Sequence, residues 1–230
     1  LAAPRLRISK AGRRSAEPRG RKAAIGGQAE KGRIATFPAW LKWALTFFVL
    51  LFVATHAWFG NSVNFLWLCD TALFGALVAL WSGNRLVASM SLLAVLLADG
   101  VGWTFDFLVA AVTGWHPLGA TLYMFDPHVP ALVRGLSLFH LWLPGLLLWM
   151  VSRLGYDRRA LRAQTLLTWV LLPVSYAVTT PERNLNWVLG FGHVQTAVPA
   201  GLYLLGEMAV FPLVFYLPVH LVLRRLWSRQ

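Results

Sequence analysis

"FLWLCDTALFGALVAL", residues 65–80, places one thiol and one acid side by side in an otherwise apolar stretch. Extended to 63–82, the run is long enough to cross roughly 30 Å of hydrocarbon at 1.5 Å per residue. A bilayer makes an ionisable residue costly, and one kept inside a span points to function. The pair Cys69-Asp70 is therefore either helix packing with a satisfied polar contact or part of a reaction centre.

Composition supports a membrane reading. Of 230 residues, 57% are hydrophobic and 13% charged, far from the soluble average. Twelve Trp and 14 Phe suit aromatic belts at the lipid interface. Six apolar runs, 38–59, 63–82, 86–113, 131–152, 162–179 and 198–223, each have spanning length. The expected fold is an all-α, polytopic helix bundle of six transmembrane helices, with no internal repeat. One cysteine excludes a disulfide framework within the chain and a cysteine-rich metal site.

The net charge of +12 does not make this a nucleic-acid binder, because ten of the 21 Lys/Arg lie in the first 33 residues. Residues 1–36 are rich in Arg, Gly and Ala and lack an apolar period. They read as a disordered basic cytoplasmic tail that contacts anionic lipid at roughly 1 kcal/mol per basic residue near the surface. The tail leads into an uncleaved helix rather than a signal peptide. The transmembrane domain is then 37–224, and 225–230 is a second short basic tail.

Basic residues orient the spans. Nineteen of the 21 fall on one side: the tail with Lys42, Arg85, the 153–162 group, and Arg224, Arg225 and Arg229. Arg134 and Arg183 fall on the other. The positive-inside rule places both ends in the cytoplasm, and the 60–62, 114–130 and 180–197 loops outside. The expected location is the bacterial inner membrane.

On this topology the polar residues form a layer. Cys69, Asp70, Asp106 and His140 each lie roughly 10 Å below the outer ends of their runs, and Glu207 slightly deeper. His56 sits near an outer end, and Asp99 nearer the middle. Asp99, Trp103 and Asp106 share a helix face at i, i+4, i+7; Arg134, Ser137, His140 and Pro144 make a stripe; Tyr203 and Glu207 are four apart. Hydrocarbon offers no hydrogen bonds, so these stripes face one another or water. A polar pocket opening to the outer face is expected, ringed by His116, Asp126, His128, Asn184, Asn186 and His193.

Three chemistries compete. A thiol with a histidine has the residue types of a nucleophile and its base, with Asp70 or Asp106 to orient the ring. Zinc ligands stand on the outer side in His116, His128, His140, His193, Asp106 and Asp126, but no pair has the i, i+4 spacing of a helical metal motif. Asp99, Asp106 and Glu207 have the chemistry of a proton relay in a small transporter. A non-catalytic membrane subunit requires none of these.

"FLWLCDTALFGALVAL", "LVRGLSLFHLWLPGLLLWMVSRLGYDRR", "TTPERNLNWVLGF" and "FYLP" (215–218) resemble, in order and spacing, blocks of the YwaF-like integral membrane proteins of bacteria. The resemblance covers roughly 60–223 and leaves out the tail. It departs at Trp67, where the family has a polar histidine, and at Phe139, where it has a small residue. A eukaryotic relative of that family is a cysteine-dependent transmembrane acyltransferase that builds ether phospholipids. The resemblance implies Cys69 as nucleophile and His140 as base. Asp70 or Asp106 is expected to orient the ring. Asn184, Asn186, His193, Glu207 and Arg134 are expected on the substrate side. Membrane phospholipid is the expected partner, and no metal or other cofactor is required.

Overall fold

The computed structural model describes residues 37–227. The basic tail expected over 1–36, and Arg229, lie outside the described residues. Within them the chain is helical and has no strand. The principal helices are α1 (Ala39–Trp58), α2 (Leu68–Ser82), α3 (Arg85–Thr113), α4 (Ala131–Leu154), α5 (Ala160–Val178) and α6 (Ala200–Leu226). Each lies on one of the six apolar runs. By length and composition, α1, α3, α4 and α6 can each cross a membrane. At 15 residues, α2 is about 22 Å long, short of a full span. The 19 residues of α5 include Arg162, Gln164, Thr168 and Ser175.

Local sequence sets the boundaries. Gly83 ends α2 in the left-handed region at φ 66°, where a glycine has no Cβ to clash. Asn84 then starts α3, its side chain accepting from the N–H groups of Leu86 and Val87 at 3.0 and 3.2 Å. The run expected as one helix over 63–82 is divided. A 3-10 turn, Ser62–Leu66, and an extended Trp67 precede α2.

The core lies between α2, α3 and α4, where Leu73, Leu80, Leu92, Leu93, Leu143 and Leu147 are fully buried. Gly75 lets α2 approach α3, because a Cβ there would overlap Ser91 Oγ. Small residues at such contacts allow the close backbone packing that holds helices together where lipid removes the hydrophobic drive. The apolar residues of α6 are little buried, and Leu202, Leu205, Val210 and Phe211 among them line the cavity described below. The most apolar window of α6 is only 11% buried. Trp40, Phe47 and Trp58 of α1 are exposed too.

Side chains tie the ends of the helices together. Phe37 meets Trp149, and Trp43 and Lys42 meet Trp81. Asp157 meets Arg85, and Tyr156 donates to or accepts from His220 Nδ1 at 2.7 Å. The segments around 56–67, 118–123 and 181–193 gather around one cavity.

Candidate functional site

Each of three helices loses its regularity where it supplies a site residue. The first is α2. Its Leu68 N–H donates to Asn186 Oδ1 at 2.9 Å, which satisfies one of the unpaired N–H groups of a helix start. Cys69 and Asp70 are therefore in the first turn of a helix, not deep within one. Asp70 is buried, and the Cys69 thiol donates to its Oδ1 at 3.7 Å.

The second is α3, which widens into a π-turn over Ala98–Trp103, with Gly102 N–H donating to Leu97 O at 2.9 Å. Gly100 packs on the ring of Pro144, where a Cβ would lie 3.2 Å from Pro144 Cβ. Single π-turns recur at functional sites because they re-aim side chains. This one corrects the face expected for α3. Asp99 and Trp103 line the cavity, and Asp106 does not.

The third is α4, which breaks at Leu138. Leu141 N–H donates to Leu138 O at 3.1 Å, three residues back. The carbonyl of Ser137, four residues back, is released from the helix ladder and takes His140 Nδ1 at 2.6 Å instead. The imidazole is clamped between Trp103, stacked at 4.7 Å, and Phe139, stacked at 4.1 Å.

These three irregularities converge. Cys69 Sγ, an Asp99 carboxylate oxygen and a His140 ring nitrogen all lie within 4.8 Å of one another. Asp99 and His140 are buried, and among the described residues Asp99 Oδ2 has no hydrogen-bond partner. The cluster sits on the wall of a cavity of about 1410 Å³, which also meets Asp70, Trp103, Tyr123 and Glu207. Trp103 Nε1 and Glu207 Oε2 are likewise buried polar atoms without hydrogen-bond partners among the described residues. A buried polar group left unpaired is rare and costly, which marks these as candidate ligand contacts.

The remaining expected residues divide clearly. His193, Glu207, Asn184 and Asn186 line the cavity, but the two asparagines are engaged within the fold. Asn186, at φ 50°, donates both amide protons, to Leu66 O at 2.9 Å and Ser175 Oγ at 2.8 Å. Asn184, at φ 40°, donates to Gly190 O and accepts from Leu189 N–H, which closes its own loop. Both amide protons of Asn186 are thus spent within the fold, and Asn184 spends one of its two there. Arg134 turns from the cavity to Met124 O at 3.3 Å.

Ser137 O holds the His140 ring at Nδ1, while Asp70 accepts from the Cys69 thiol and Asp106 from the 114–121 loop. Asp106, fully buried, accepts from Leu118 N–H, Thr121 N–H and Thr121 Oγ1 at 2.7–2.8 Å. It fastens the 114–121 loop to α3. His116 and Thr121 extend that network at 3.2 Å.

Sequence reasoning placed Asp99 in the stripe of α3 but not in the site, and gave Trp103 no role. Their signal was the Ala98–Trp103 stretch itself, "ADGVGW", where two glycines flank a valine inside an apolar helix. Comparison with protein-family models, curated proteins and solved structures finds no match for the chain.

Proposed function

We propose that the chain is a six-span bacterial cytoplasmic-membrane protein, both ends inside, that transfers acyl groups between phospholipids through Cys69 and His140. The resemblance to YwaF-like proteins stated above belongs to the same proposal. The observation that carries it is the meeting of Cys69 and His140, from separate helices, on the wall of a cavity of lipid-accommodating size. The lining, from Phe52 and Phe139 to Leu202 and Val210, suits acyl chains.

A carbonyl only accepts, so the Nδ1 beside Ser137 O carries the imidazole proton. Nε2 of the neutral ring is then the free base. It takes the Cys69 thiol proton as Sγ attacks the ester carbonyl carbon of a donor phospholipid. The tetrahedral adduct collapses, and the carbon–oxygen bond to the glycerol breaks. The departing oxygen takes the proton from His140, leaving a lysophospholipid and an acyl thioester on Cys69. An acceptor hydroxyl then gives its proton to Nε2 and attacks the thioester carbon. The thiolate leaves and recovers that proton. Asp99, with a carboxyl oxygen within 4.8 Å, is the hydrogen-bond acceptor available to the imidazolium between the two proton transfers. Trp103 Nε1, an unpaired donor in the wall, is the candidate for the carbonyl oxygen.

The orientation draws on the basic residues, and the outward placement of the cavity on the three loops that line it. The test is transfer of a labelled acyl chain between phospholipids by purified protein in vesicles. Cys69→Ser and His140→Ala are each expected to abolish transfer while melting as cooperatively as the native chain. Full activity in either one contradicts the proposal.

A further inference from the structure

Cys69, Asp99 and His140 carry three donor types that zinc takes together: thiolate sulfur, carboxylate oxygen and imidazole nitrogen. Their atoms lie within 4.8 Å of one another. Tetrahedral zinc bonds of about 2.0–2.3 Å set ligand atoms about 3.5 Å apart. The approach needed is thus about 1 Å, within the rotamer freedom of a cysteine and an aspartate side chain. Two further features belong to metal sites rather than to helix packing. Asp99 Oδ2 is buried without a partner beside the other two donors. His140 gives its second ring nitrogen to a backbone carbonyl, the outer-shell bond that fixes the tautomer of a metal-binding histidine.

We propose that Cys69, Asp99 and His140 form a binding site for a divalent transition metal of zinc type, with its fourth position open to the cavity. Coordination displaces the Cys69 proton to solvent and joins the thiolate to the metal; no redox change is involved. His140 binds through Nε2 and keeps its Nδ1 proton on Ser137 O. The metal occupies the nucleophile and the base together, so it inhibits acyl transfer. That consequence rests on the acyl-transfer reading, whereas the site itself does not.

The experiment is a Co²⁺ titration of the purified full-length chain in detergent, followed by Zn²⁺ competition against a chromophoric chelator. A near-ultraviolet thiolate-to-cobalt band at one equivalent is expected, displaced by Zn²⁺. Asp99→Asn, which keeps the side-chain shape, is expected to weaken binding more than tenfold, and Cys69→Ser to abolish the band. His220→Gln, beside Tyr156 at the other end of the helices, is expected to leave both unchanged. Absence of the band on the native chain overturns the proposal without reference to any variant. So does metal binding that Asp99→Asn leaves intact. A hydroxylamine-labile acyl group on Cys69 in a chain that takes no metal even after hydroxylamine has freed the thiol overturns this proposal and leaves acyl transfer standing. Stoichiometric metal, with no acyl group formed once the metal is chelated away and phospholipid donor is added, supports the site and tells against acyl transfer.

Discussion

Nδ1 of His140 lies 2.6 Å from the carbonyl oxygen of Ser137, a group that the break in α4 releases from the helix ladder. One backbone irregularity thereby assigns the tautomer of the imidazole and leaves Nε2 as its base. The stacked rings of Trp103 and Phe139 remove its remaining freedom to turn.

His140→Asn separates structure from chemistry. The asparagine amide can still donate to Ser137 O but offers no base. Its melting temperature is expected within about 3 °C of the native value. Acyl transfer is expected to fall by about 10²–10⁴-fold, the usual worth of a general base. A fluorescence melt and a labelled-lipid assay check both.

Asn186 links the 180–197 loop to the start of α2 by accepting from Leu68 N–H and donating to Leu66 O. Asn186→Ala removes three hydrogen bonds and leaves a residue with a Cβ at φ 50°. A loss of about 2–4 kcal/mol is expected, with faster alkylation of Cys69 by a small maleimide as the helix start loosens. Thermal unfolding and timed labelling measure the two effects.

Asp106→Ala is expected to free the 114–121 loop rather than remove a catalytic group. Amide exchange at Leu118 and Thr121 should rise more than tenfold, since both N–H groups lose their carboxylate acceptor. Cys69 should still take an acyl group.

At the opposite end, Arg159 bonds Asp157 at 2.9 Å and holds its carboxyl below the ordinary carboxylate range, with Arg85 at 3.7 Å contributing. A depressed folded value adds stability above the ordinary pKa near 4, and the addition is lost as pH falls through the lower folded value. Asp157→Asn is expected to melt about 2–4 °C lower than the native chain at pH 7. The gap should begin to narrow as the pH of the melts falls below about 4 and close beneath the depressed folded value.

Apolar length and composition made the helices legible in the sequence, because a bilayer demands both. Matching depth made contact between Cys69 and His140 possible, and their side chains lie within 4.8 Å. What regular helical geometry could not reveal was the set of local breaks. A period of 3.6 put Asp99 and Asp106 on one face, but the π-turn over Ala98–Trp103 carries Asp99 to the cavity and leaves Asp106 on its loop. The extended Trp67 shortens α2, which no hydropathy window registers. The asparagines looked available because a loop amide is usually solvated. Their left-handed backbone and buried bonds follow from tertiary packing that spacing does not encode.

The most direct test of the central claim is the intact mass of the protein purified with its native lipid, before and after hydroxylamine. Acyl transfer through Cys69 predicts a fatty-acyl mass increment that hydroxylamine removes, maps to the peptide holding Cys69 and is absent from Cys69→Ser. An unmodified mass in a lipid-rich preparation, unchanged when phospholipid donor is added, would contradict it.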